Sequence, residues 1–98
     1  MGLFAVIYRY STDTEALDEH RPSHKDYLRA LFEAGVIVVS GPLGEGGGPG
    51  ALLVLRAESA DAVTGHLDGD PFHRLRLIVE REVRAWSPAF GGERLAEE

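Results

Sequence analysis

The chain has 98 residues, sixteen acidic against ten basic side chains, a net charge of −6 and no cysteine. That length holds one small domain with no room for a second, and the missing thiols exclude disulfides, a cysteine nucleophile and thiolate-held metal or iron–sulfur sites. The basic residues are scattered rather than gathered into a stripe, which argues against nucleic acid as a partner, and the opening apolar run is too short for a signal-peptide core or a membrane span, so a cytoplasmic protein without membrane contact is expected.

Leu3 to Tyr10 reads as a strand, apolar on both faces until Arg9 and ended by the polar cluster Ser11 to Thr14. From Pro22 to Ala34 the spacing predicts a helix. His24, Leu28, Leu31 and Gly35 share one stripe with Tyr27, Leu31 and Ala34 beside it, Pro22 suits a first turn, and Gly35 closes the end. Between Asp13 and Arg21 the composition fits either a short helical turn or an ordered loop. Val36 to Ser40 is a second strand, ended by Gly41-Pro42, and the glycine-rich stretch after it reads as a mobile hairpin loop. That loop is no phosphate cradle, because it lacks the Lys-Ser/Thr ending and no helix follows.

Ala51 to Ala57 is a third strand, after which Ser59 as N-cap and Asp61 in the first turn open a helix through about Leu67. A last strand, about Arg74 to Trp86, alternates Leu75, Leu77, Val79 and Val83 against a more charged face. The order βαββαβ predicts a ferredoxin-like α+β fold, a four-stranded antiparallel sheet with two helices on one face, over residues 1–88, with 89–98 a flexible C-terminal tail. Two helices cover one face only. Leu3, Ala5 and Ile7 are apolar on the other, so a homodimer or higher even oligomer packed sheet to sheet is expected.

The residues that can move protons are His24 and Asp70. In the predicted helix His24 lies in the first turn, where the helix N-terminus disfavours imidazolium and a nearby carboxylate favours it, opposed effects that suit a base near neutrality. Asp70 stands in the stretch Gly69-Asp70-Pro71-Phe72-His73, and the proline holds it extended, free to cap the following turn or to point into a cleft. Arg9, Arg21 and Ser40 are candidates for holding an anionic or phenolic group, and Phe72 for a pocket wall; each of the three polar residues also reads as an ordinary surface or capping residue. The run His66, Asp68, Asp70, His73 suggests metal ligands superficially. It spans a helix end and a proline turn and has no His pair at i, i+4, so no metal is expected.

Arg21-x-x-His24-x-x-Tyr27-Leu28, then Gly35, Gly41-Pro42, a glycine-rich break, Asp70-Pro71-Phe72 and a terminal strand ending in Trp86 form an ordered set. From about Leu3 to Trp86 the chain resembles the YCII-related, or YciI-like, domain. The resemblance implies a small dimeric ferredoxin-like protein whose shared histidine and aspartate, here His24 and Asp70, form the active-site pair. One branch of that family is a dehydrochlorinase acting on a chlorinated hydroxyquinol. The expectation is a cofactor-independent enzyme of lyase or isomerase type that binds a small aromatic or acidic metabolite. The alternatives are a non-catalytic dimeric module that binds a small molecule or serves as an accessory, and a purely structural dimer.

Overall fold

β1 (Gly2–Tyr10) pairs antiparallel with β3 (Gly50–Ala57) on one side and with β4 (Ile78–Trp86) on the other, and β2 (Ile37–Pro42) pairs with β3. The resulting order, β2-β3-β1-β4, with α1 (Thr14–Glu33) after β1 and α2 (Ala60–Leu67) after β3, is the ferredoxin-like α+β arrangement. A single further turn, α3 (Pro71–Arg74), precedes β4. This computed structural model describes residues 1–95.

Alternation along the strands decides what lies inside. Phe4, Val6 and Tyr8 of β1 are buried with Ile37, Leu53 and Leu55 of the neighbouring strands and with Val63 and Leu67 of α2. Each large apolar side chain taken fully from water contributes roughly 1.5–3 kcal/mol, so this cluster carries most of the favourable term. A smaller cluster of Leu17, Phe72 and Leu77 joins α1 to α3 and to the approach of β4. On the opposite face no α-helix among the described residues covers the sheet. There Ile7, Leu52 and Val39 remain 37%, 38% and 48% exposed, while Val54, between Ala5 and Val39 in register, is buried.

Several elements differ from the sequence reading. Helix α1 begins at Thr14 with Asp13 as its cap, the carboxylate accepting from the Ala16 amide at 3.1 Å, so the segment between Asp13 and Arg21 is helix. Pro22 is therefore an interior residue, not a first-turn one. It is exposed, and water can take the place of the amide it lacks toward the Asp18 carbonyl. His24 consequently lies in mid-helix. The field of a helix N-terminus fades beyond the first turn, so the first of the two opposed effects expected at His24 does not apply.

Strand β2 continues through Gly41-Pro42 instead of stopping before them, because an edge strand has no ladder partner on its outer side and tolerates proline. The glycine-rich stretch contains one 3-10 turn, Glu45–Gly47. Strand β4 starts at Ile78 rather than near Arg74, since α3 occupies the preceding residues and Arg76 takes a left-handed backbone, φ 61°, that breaks the strand. Trp86 ends β4 on the uncovered face, 41% exposed. In the segment expected to be a tail, Gly92–Leu95 forms a 3-10 turn whose Leu95 carbonyl accepts from Arg56 Nη2 at 2.6 Å, and residues 96–98 lie outside the described part. Among the described residues no helix is long and apolar enough to cross a membrane.

Candidate active site

Of the two positions its sequence context suggested, Asp70 takes the turn cap; it is buried against His24 and does not line the cavity. Pro71 keeps its backbone extended, φ −61° and ψ 128°, and its side chain caps α3, Oδ1 accepting from the Phe72 amide at 2.9 Å. The same carboxylate meets His24 Nδ1, at 2.9 Å from Oδ1 and 2.8 Å from Oδ2. Forty-six positions separate the two residues in the chain. Asp70 is fully buried and His24 is 6% exposed. An ionised carboxylate only accepts, so in neutral His24 the proton sits on Nδ1, and Nε2 presents its lone pair.

Aromatic rings hold the imidazole in that orientation. Phe72 stacks on it, centroids 3.9 Å apart and planes 6° from parallel, while Tyr10 meets both rings edge-on, 5.3 Å from Phe72 and 6.2 Å from His24. Phe72 is fully buried, so the ring that supports His24 is itself locked by the core. Gly69 fits the approach to this turn closely. A Cβ there would lie 2.5 Å from Tyr27 Oη, which donates to the His66 carbonyl at 2.6 Å.

The charge on Asp70 reaches two tyrosines. Burial first, and Asp70 second, raise the Tyr10 phenol to about 12 against an opposing pull from Arg21. Burial, then Asp70, push the Tyr8 phenol further still, with Arg81 pulling the other way. Tyr8 Oη and Arg81 Nη1 are buried without a hydrogen-bond partner among the described residues. Arg81 uses its other nitrogen, Nη2, to reach Asp68 at 2.8 Å.

His24 lies at the wall of a cavity of about 530 Å³ between α1 and the β2–β3 edge, within the range of roughly 300–1,000 Å³ usual for small-molecule sites. Leu28, Phe32, Pro42 and Leu53 give it apolar walls, and Arg21 and Ser40 also line it. The structure thus brings His24, Asp70 and Phe72 into contact and sets Arg21 and Ser40 in the same cavity wall as the histidine, but Phe72, expected at a pocket wall, is fully buried behind the imidazole and does not line the cavity, because its ring is packed with Leu17 and Leu77. Arg9 lies elsewhere. It points to the uncovered sheet face, where Nε bonds Glu80 at 2.9 Å, because alternation along β1 places it opposite to Tyr8 and Tyr10. Lys25, Arg29 and Phe32, which the sequence reading did not select, also line the cavity. The helical offsets from Arg21 to Lys25 to Arg29 were the available signal, but such a stripe looks the same as a solvated helix face.

The run that resembled metal ligands is divided between separate contacts. Asp70 faces His24, while Asp68 pairs with Arg81 and lies 3.5 Å from His73. Among the described residues no group of three or more such side chains gathers to hold a metal ion.

Residues 3–87 match the YCII-related domain. The chain belongs to that family. Solved structures share its fold. A chain 29% identical to this one, covering 87% of it and 93% of its own length with a TM-score of 0.73, is the 5-chloro-2-hydroxyhydroquinone dehydrochlorinase TftG from Burkholderia phenoliruptrix AC1100, in complex with 2,5-dihydroxybenzoquinone. Protein Atu4242 from Agrobacterium tumefaciens shares the fold at 18% identity, a TM-score of 0.61 and coverage of 93% and 96%. No curated protein sequence matches the chain.

Proposed function

We propose that this YCII-related chain is a cofactor-independent acid–base catalyst of lyase or isomerase type, acting on a small aromatic or acidic molecule held in the His24 cavity. The observation that carries the reading is the buried His24–Asp70 contact at a cavity wall. His24 Nε2 takes a proton from the substrate, and Asp70 orients the ring through Nδ1 and stabilises the imidazolium that forms. The proton then returns to a different substrate atom in an isomerisation, or leaves with the departing group in an elimination. The dehydrochlorinase activity named for TftG is an elimination of this kind. The uncovered sheet face supports a second part of the reading, a homodimer packed through Ile7, Val39 and Leu52.

The test is turnover of 5-chloro-2-hydroxyhydroquinone and related hydroxyquinols by purified protein. His24→Gln should lower kcat by about 10²-fold or more, the usual contribution of a positioned acid–base group. Asp70→Asn should lower it by roughly 10- to 100-fold, the worth of a charge-assisted hydrogen bond to the imidazolium, while remaining folded because asparagine caps a helix as well as aspartate. Variants that keep full turnover would overturn the assignment. A ligand bound with unchanged affinity and never converted would leave the chain as a binding module.

A further inference from the structure

The cavity described above has an uneven charge. Among the residues lining it are three cations, Arg21, Lys25 and Arg29, one helical turn apart on α1, and no carboxylate. This occurs in a chain whose net charge is −6. The two arginines are held by their own helix, Arg21 by Asp18 and Arg29 by Asp26 at 2.9 Å. Lys25 lies between them, next in sequence to His24, and has no carboxylate partner among the described residues. Its ammonium is the unneutralised charge at this wall.

The apolar part of the wall supplies a second observation. Phe32 lines the cavity yet is 57% exposed, a large ring that the core does not use. With Leu28 and Pro42 it offers a surface suited to a flat apolar body, and such rings bind best when the other face is also covered. A cation beside an apolar slot favours a molecule carrying both a ring and a negative oxygen. A neutral ring gains only the apolar contact, and a small hydrophilic anion gains only the charge.

We propose that the His24 cavity selects planar aromatic acids in their anionic form, with Lys25 as the residue that reads the charge. This rests on the cavity being a ligand site, as in the proposed function, but not on any turnover there. The ammonium takes the anionic oxygen, Phe32 and Leu28 take the ring, and His24 Nε2 faces the remaining edge of the molecule. Arg21 and Arg29 each face a carboxylate of their own helix, so they contribute to the field more than to a specific contact.

The experiment uses two unreactive probes of the same shape, 2,5-dihydroxybenzoate and 2,5-dihydroxybenzamide, titrated into the full chain and followed by amide chemical shifts. The benzoate should bind about tenfold more tightly than the benzamide, with shifts at Leu28 and Gly41. Lys25→Met, which keeps the aliphatic length, should remove that preference by weakening the benzoate about tenfold and leaving the benzamide unchanged; Lys25→Arg should restore most of it. Raising the salt from 50 to 500 mM should weaken the benzoate alone. Equal binding of the two probes, a Lys25→Met variant with undiminished preference for the benzoate, or no binding of either would overturn the inference. Charge-selective binding with no turnover of any hydroxyquinol would uphold it while defeating the catalytic reading. The converse pattern, His24-dependent turnover with no charge preference, would defeat this inference alone.

Discussion

Asp70 acts on Tyr8 and Tyr10 as well as on His24, and the tyrosines give its charge a measurable consequence. Both phenols ionise above their ordinary value of 10.0 in the folded chain, Tyr10 at about 12 and Tyr8 higher. Between pH 10 and those values the folded state keeps protons that the unfolded state has released, so stability falls as pH rises through that window and is unaffected by these groups below it. The double variant Tyr8→Phe/Tyr10→Phe should therefore show a shallower loss of stability between pH 10 and 12, read as urea midpoints against pH. An unchanged slope would mean that the phenols are not held neutral by burial and by Asp70.

Among the elements, α1 shows most clearly what a sequence conceals. Its second half was legible because Leu28 and Leu31 recur at helical spacing and Gly35, with φ 83°, ends it in the left-handed conformation expected of such a residue. Its first half carries one buried apolar anchor, Leu17, among charged residues, and Pro22 imitates a start signal that the fold overrides by burying Leu17 against Phe72. The strands were legible to within a few residues, since runs of β-branched, aromatic and aliphatic residues end in polar or glycine-rich breaks; the turn after Asp70 was expected from its proline, but not that it would delay β4 to Ile78, because four residues have no period to read. His24 and Asp70 became a pair through the ordered family motif, not through spacing, as no local rule joins residues so far apart. The link between α2 and α3 carries its own prediction. Gly69→Ala would drive a methyl group into the Tyr27 ring and its bond to the His66 carbonyl, costing about 1–3 kcal/mol and displacing Asp70. Thermal unfolding together with the loss of His24-dependent turnover would show it, and a variant as stable and active as the parent would mean that Tyr27 moves aside freely.

For the whole molecule, the distribution of apolar residues over the sheet is the controlling fact. One face is closed by α1 and α2, and the other leaves Ile7, Leu52 and Val39 against solvent beside the charged Glu80, Glu82 and Arg84 of β4. A second copy would cover the apolar half and set the charged edge at its rim, as interfaces commonly do. Sedimentation at micromolar concentration should give twice the monomer mass, and Leu52→Glu should shift the population to monomer, since it buries a charge without a partner. A monomer at all concentrations would leave the uncovered face without that explanation.

The cap that Asp70 forms on α3 also gives the protein a built-in gauge. The Phe72 amide donates to the same Oδ1 that faces His24, so the proton on that nitrogen is sheltered only while the carboxylate holds its place. Its exchange with deuterated solvent counts the openings of that one turn, and every opening detaches the imidazole from its anchor at the same moment. A single backbone signal thus reports how much of the time the His24–Asp70 contact is made, with no ligand, no substrate and no label on either residue.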